Sequence, residues 1–180
     1  MGLAACFTNE SYQAQACHAL SMWLENNPDY SNLMPEQSGA KMMKFTSSFM
    51  SQQQHDQVTK LYIEAARQNQ AGNIDPDVQA GLGVLFNLSG EFDKAVDCFR
   101  AAISVRPSDS SLWNRLGATL ANSNRSEEAV SAYHTALSHS PGFVRCRYNL
   151  GVSCINLKAY KEAAEHFLTA LNFQVCDKKL

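Results

Sequence analysis

Three stretches of this 180-residue chain lie beneath one another without a gap: LGVLFNLSGEFDKAVDCFRAAISVRP (residues 82–107), LGATLANSNRSEEAVSAYHTALSHSP (116–141) and LGVSCINLKAYKEAAEHFLTALNFQV (150–175). A spacing of 34 residues carries Leu82-Gly83 to Leu116-Gly117 and Leu150-Gly151, Ala95 to Ala129 and Ala163, Phe99 to Tyr133 and Phe167, and Ala102 to Ala136 and Ala170; Pro107 falls on Pro141. Each column has a physical job. Glycine and alanine let two helices cross closely, and the aromatic is expected to fill the gap between one helix pair and the next. Pro107 and Pro141 stop a second helix, because proline cannot continue the interior hydrogen-bond ladder. Ser89-Gly90 and Asn122-Ser123-Asn124 supply the turns. The reading is an all-α superhelix of antiparallel helix pairs, over 76–107, 110–141 and 144–174, with Trp113 in the core of its first helix.

A period of 34 with this residue pattern is that of the tetratricopeptide repeat. Residues 73–174 are three regular repeats, and 175–180 a tail. Residues 1–30 read as a partial N-terminal repeat, because Ala16 precedes Pro28 by the interval that separates Ala95 from Pro107. Phe7-Thr8-Asn9-Glu10 would then end its first helix. From 31 to 72 the pattern dissolves into a degenerate repeat or mobile insertion, rich in Ser, Gln and Met, with Met42-Met43, Gln52-Gln53-Gln54 and one helix near 56–68.

Composition narrows the function. A net charge of -2 from 15 basic and 17 acidic residues leaves no basic face for nucleic acid. Cys6, Cys17, Cys98, Cys146, Cys154 and Cys176 stand at no metal-ligand or disulfide-framework spacing and read as reduced thiols of a cytosolic protein. No apolar run reaches a membrane span, and the start lacks the basic and apolar regions of a signal peptide. His18, His55, His134, His139 and His166 have no partner in a catalytic motif, so no enzyme, metal or cofactor is expected.

The first helices of stacked pairs line a concave wall. On the last first helix, Arg145, Asn149, Val152 or Ser153, and Asn156 share a face; the preceding one carries Asn114, Ala118 and Asn122, and the one before that Asn87. Asn9, Asn122 and Asn156 recur at one height. An asparagine near a helix end also serves a turn or left-handed cap, but Asn114 and Asn149 sit inside helices, where asparagine has poor propensity. Arg145 opens a helix, where the macrodipole disfavours a cation unless an anion offsets it. One guanidinium among amides that donate and accept suits a single carboxylate with an extended backbone.

The runs Phe7-Thr8-Asn9-Glu10-Ser11, Asp75-Pro76-Asp77-Val78-Gln79, Leu112-Trp113-Asn114 to Asn122, and RCRYNLGVSCINL (145–157) resemble the peroxisomal targeting signal type 1 receptor (peroxin five) family, in its cargo-binding repeats. The resemblance implies a receptor for C-terminal Ser-Lys-Leu-type tripeptides of peroxisomal cargo, cytoplasmic and cycling to the peroxisomal membrane. It implies that Asn114, Asn149 and Asn156 hold the carboxylate and backbone, with Arg145 supplying positive charge. Thr8, Asn9 and Glu10 would face the penultimate basic side chain, Asn87 and Asn122 would make further backbone contacts, and Ala118 would line the place of the terminal leucine. Docking proteins of the peroxisomal membrane are further partners, engaged through regions of the family outside this sequence. The alternatives are a protein-interaction scaffold and an ion-channel-regulating paralogue that uses the same pocket.

Overall fold

The computed structural model describes residues 2–33, 52–68 and 73–177, with side chains for 14–33, 52–68 and 73–174. Eight α-helices and one short 3-10 turn make up the described residues, with no strand among them: α1 Gly2–Asn26, α2 Gln52–Gln68, α3 Pro76–Leu88, α4 Phe92–Val105, α5 Ser110–Asn122, α6 Ser126–His139, α7 Val144–Asn156 and α8 Tyr160–Asp177. The all-α expectation holds. The last six form three antiparallel pairs, α3/α4, α5/α6 and α7/α8, each pair packed on the next through α4 against α5 and α6 against α7.

Repetition extends to the backbone between helices. Asp75 and Asp109, 34 residues apart, cap α3 and α5: the Asp75 carboxylate accepts from the Asp77 and Val78 amides, that of Asp109 from Ser111 and Leu112. Such caps satisfy helix-end donors that nothing else reaches. The turns inside the pairs pass through left-handed backbone at Gly90 (φ 78), Asn124 (φ 62) and Lys158 (φ 63), one column of the repeat. Glycine and asparagine suit that conformation, whereas lysine is strained in it. Trp113 and Arg147 are also one column: the indole N–H donates to the Pro107 carbonyl (2.8 Å) and the Arg147 guanidinium to the Pro141 carbonyl (2.8 Å). Trp113 is half-buried against the core, as expected for a packing residue.

The aromatic column also packs within each pair. A Cβ on Gly83 would lie 2.7 Å from Phe99, one on Gly117 2.6 Å from Tyr133, and one on Gly151 2.7 Å from Phe167. Each ring therefore lies on the glycine of its own helix pair. The pairs share one continuous core, in which Phe99 and Tyr133 sit with Ile103, Leu112, Leu116, Leu120, Leu137 and Leu150.

Two further expectations change at the amino-terminal side. Phe7-Thr8-Asn9-Glu10 does not end a helix: α1 runs unbroken from Gly2 to Asn26, since no proline or further glycine interrupts it before Pro28. Gln52-Gln53-Gln54 is not irregular but opens α2, where Gln52 donates to the Asp56 carboxylate one turn on (3.0 Å). Met42-Met43 and the rest of 34–51 lie outside the described residues, as do 69–72. α2 joins the stack through Tyr62, whose ring covers Gly81 of α3 and whose hydroxyl donates to the Leu20 carbonyl (3.1 Å). His55 Nε2 donates to the Leu85 carbonyl (3.0 Å).

Candidate peptide-binding wall

The centre of the wall is a single amide pair. Asn149 of α7 donates from Nδ2 to Oδ1 of Asn114 on α5, at 3.2 Å. The two are 35 residues apart, one more than the repeat, so they belong to neighbouring columns and meet across the seam between successive first helices. Asn114 is 8% exposed and Asn149 half-buried; Asn114, expected on the open wall, is instead sunk beneath α7. Their bond leaves the Asn114 NH2 as a donor and the Asn149 carbonyl oxygen as an acceptor.

Helical periodicity arranges the remaining α7 residues about this pair. Arg145 lies one turn before Asn149 and is exposed; Val152 and Asn156 continue the same face and are exposed. Ser153, the other possibility beside Val152, is buried. Among the described residues Arg145 has no carboxylate within ion-pair range. It borders a groove of ≈ 780 Å³ between α7 and α8, with Tyr148, Phe167 and Leu171. Arg145 thus stands at the rim where the wall meets the end of the stack.

On α5, Ala118 is half-buried one turn beyond Asn114, and Asn122, the last residue of the helix, is exposed. Asn156 ends α7 in the same way. The two stand in successive turn-side grooves: Asn122 in one of ≈ 510 Å³ with Glu91 and Lys94, Asn156 in one of ≈ 600 Å³ with Arg125 and Glu128. The charges there are internally matched. Arg125 grips Glu128 with both ends of its guanidinium, at 2.7 and 2.8 Å, and that hydrogen bond holds the Glu128 carboxyl below the usual carboxylate range. Asn87, in the last turn of α3, is half-buried with an Oδ1 that has no hydrogen-bond partner. Thr8, Asn9 and Glu10 lie within α1, but their side chains are outside the described residues.

The structure therefore joins Asn114 to Asn149 directly, aligns Arg145 and Asn156 with Asn149 along one helix face, and sets Asn122 apart in its own groove. Sequence reasoning missed Tyr148 and Arg147. The Trp113–Arg147 column was the available signal for Arg147: its guanidinium lies 5.5 Å from the centre of the Phe173 ring. The described thiols are reduced and face inward. Cys17, Cys146 and Cys154 are buried and Cys98 half-buried, all free; burial pushes Cys17 and Cys98 up to about 11 and Cys146 up to about 12.

Comparison with known proteins bears on the repeats and the fold. The tetratricopeptide repeat family model matches residues 88–142 and 114–175. PEX5-related protein of Mus musculus is 55% identical over 128 residues, covering 70% of this chain and 22% of that protein. The peroxisomal targeting signal receptor of Yarrowia lipolytica is 51% identical over 127 residues, covering 70% of this chain and 21% of the receptor. The chain thus spans about a fifth of the length of these curated relatives. Among solved structures, the crystal structure of MamA superposes with a TM-score of 0.67 at 18% identity, covering 91% of this chain and 90% of that one. YrrB, described as a tetratricopeptide-repeat protein with an unusual peptide-binding site, superposes with a TM-score of 0.61 at 22% identity, covering 71% and 68%. These two share the fold. No described helix is long and apolar enough to cross a membrane. Over its repeats, this chain belongs with the peroxisomal targeting signal receptors and PEX5-related proteins.

Proposed function

We propose that the wall binds the free C-terminal end of cargo proteins carrying Ser-Lys-Leu-type signals, and that the protein works in the cytoplasm to deliver them to the peroxisome. The observation that carries this reading is the Asn114–Asn149 pair beside an unpaired guanidinium. A carboxylate is an acceptor only; it needs donors, and the Asn114 NH2 and the Arg145 guanidinium are donors without competing carboxylates. A peptide backbone needs both kinds of group, and the Asn149 carbonyl oxygen accepts from an amide N–H. From Asn149 to Asn156 the helix rises about 10 Å at 1.5 Å per residue, the length of an extended tripeptide at about 3.3 Å per residue.

The remaining candidates take graded parts. The orphan Asn87 Oδ1 is an acceptor awaiting an N–H further along the ligand. Ala118, small and half-buried beside the pair, leaves room for a terminal leucine. Asn122 contacts backbone upstream, and Glu10, with Thr8 and Asn9, meets the penultimate lysine. Docking at the peroxisomal membrane belongs to regions outside this sequence. The identity to PEX5-related proteins favours one second reading, in which the same wall reads a chain end on a client other than peroxisomal cargo.

Replacing Asn149 by Ala tests the proposal. It removes the bond to Asn114 from a half-buried position, so the expected outcome is a Ser-Lys-Leu peptide bound at least about tenfold more weakly, equivalent to about 1.4 kcal/mol, by a protein that stays folded. Unchanged peptide binding by Asn149→Ala would refute the pair's role and favour an interaction scaffold without end recognition.

A further inference from the structure

The junction between the second helices α6 and α8 carries different chemistry from the one before it. Moved on by the repeat of 34, Arg100 of α4 becomes His134 of α6, Glu128 of α6 becomes Glu162 of α8, and Ala132 becomes His166. In the earlier junction the Arg100 guanidinium and the Glu128 carboxylate form an ion pair at 3.6 Å. In the later one an imidazole replaces the guanidinium, and a second imidazole replaces the small residue one turn beyond the glutamate. The two rings meet across the junction, with centres 6.2 Å apart and planes inclined at 66°.

Neutral imidazole is the commonest metal-binding side chain and suits Zn2+, Ni2+ and Cu2+. Each ligating nitrogen lies about 2.1 Å from a zinc ion, so the centres of two rings that share one ion stand about 5 to 6.4 Å apart, according to the angle at the metal. The pair already stands within that span. His134 is exposed and free to turn, His166 is half-buried, and neither is held by an ion pair among the described residues. Burial, then the charges of His134 and Arg147, hold His166 below the ordinary histidine value, which keeps the ring neutral near pH 7, as a ligand must be. Glu162 and Glu165 bring negative charge to the same place, whereas Arg147 opposes a cation. The Arg147 guanidinium is engaged elsewhere, donating to the Pro141 carbonyl (2.8 Å) and lying over the Phe173 ring. No group of three His, Cys or carboxylate ligands converges among the described residues, so water completes the coordination.

We propose that His134 and His166 bind a divalent, imidazole-preferring metal ion such as Zn2+, which ties α6 to α8 on the second-helix side of the stack. Asn114 and Asn149 stand on the first helices α5 and α7, so the site is separate from the wall and the inference does not rest on what the wall binds.

Calorimetric titration of the full 180-residue chain with zinc chloride at neutral pH, up to about millimolar metal, tests it. The expected result is zinc binding that His134→Gln and His166→Gln each weaken at least about tenfold, that His139→Gln on another face of α6 leaves unchanged, and that is lost at about pH 5, where the imidazoles are protonated. Because the ion binds the folded junction, zinc should also raise the thermal midpoint of the parent but not that of His134→Gln. His134 is exposed, so this variant carries the test should His166→Gln unfold. A chain that binds no zinc in this range overturns the proposal. So does zinc binding that neither His134→Gln nor His166→Gln weakens.

Discussion

Replacing Gly117 by Ala should destabilise the protein, although alanine is the better helix former by about 1 kcal/mol. The added methyl would lie 2.6 Å from Cε1 and 2.8 Å from Cδ1 of Tyr133, where carbon atoms rest at about 3.5 to 4.0 Å. The ring must therefore retreat by about 1 Å. Tyr133 is 2% exposed, at the middle of the stack, and close-packed interiors have no space to receive it. Overpacking of this kind costs about 1 to 3 kcal/mol; subtracting the helix gain leaves about 1 kcal/mol of net loss, and at most about 2. Gly151→Ala makes the same clash with Phe167, but that ring is half-buried at the open end of the stack and can tilt outward. Its expected net change is within about 0.5 kcal/mol of zero. Urea unfolding of both variants, followed by circular dichroism at constant m-value, provides the comparison. Shortening the ring in the double variant Gly117→Ala/Tyr133→Leu should cost less than the sum of the two single changes. If Gly117→Ala cost no more stability than Gly151→Ala, the glycine column would owe nothing to ring packing.

Lys158→Gly should stabilise the chain by about 0.5 to 1 kcal/mol, because it relieves left-handed backbone at φ 63 at some cost in unfolded-chain entropy; chemical denaturation reads the change, and a loss of stability would contradict it. Trp113→Phe keeps the ring but removes the N–H donated to Pro107, with an expected loss of about 1 kcal/mol. His166 is held below the ordinary histidine value of 6.5 by burial, then by the positive charges of His134 and Arg147. The unfolded chain therefore binds more protons there, and the contribution of neutral His166 is complete above 6.5 and lost as the pH falls from 6.5 through the lower folded value. His166→Gln should flatten that part of the stability profile; an unchanged slope would exclude His166 as its source.

Much of the fold was legible because the 34-residue spacing repeats residues whose roles are local: a glycine, a ring, a proline, a turn. Which ring met which glycine was not legible, since spacing gives a column but not the partner across it. The first helix shows another limit. A turn was expected at Phe7–Glu10 by analogy with later repeats, yet no local residue there stops a helix, and α1 continues. On the wall, Asn114 and Asn149 could be picked out by their poor helix propensity, but their mutual bond depends on a one-residue offset between adjacent helices. Arg145 was legible as an uncompensated cation near a helix start, while its place at the rim of the α7/α8 groove depends on Tyr148, Phe167 and Leu171 folding around it.

On the proposed function, the amide pair and Arg145 read a free carboxylate. Calorimetric titration of the protein with one peptide ending in Ser-Lys-Leu, as the free acid and as the C-terminal amide, tests it most directly. Charge-assisted hydrogen bonds contribute about 1.5 to 3 kcal/mol, so the acid should bind in the micromolar range, near -8 kcal/mol, and the amide at least about tenfold more weakly. Equal affinity for the two would contradict carboxylate recognition by this wall.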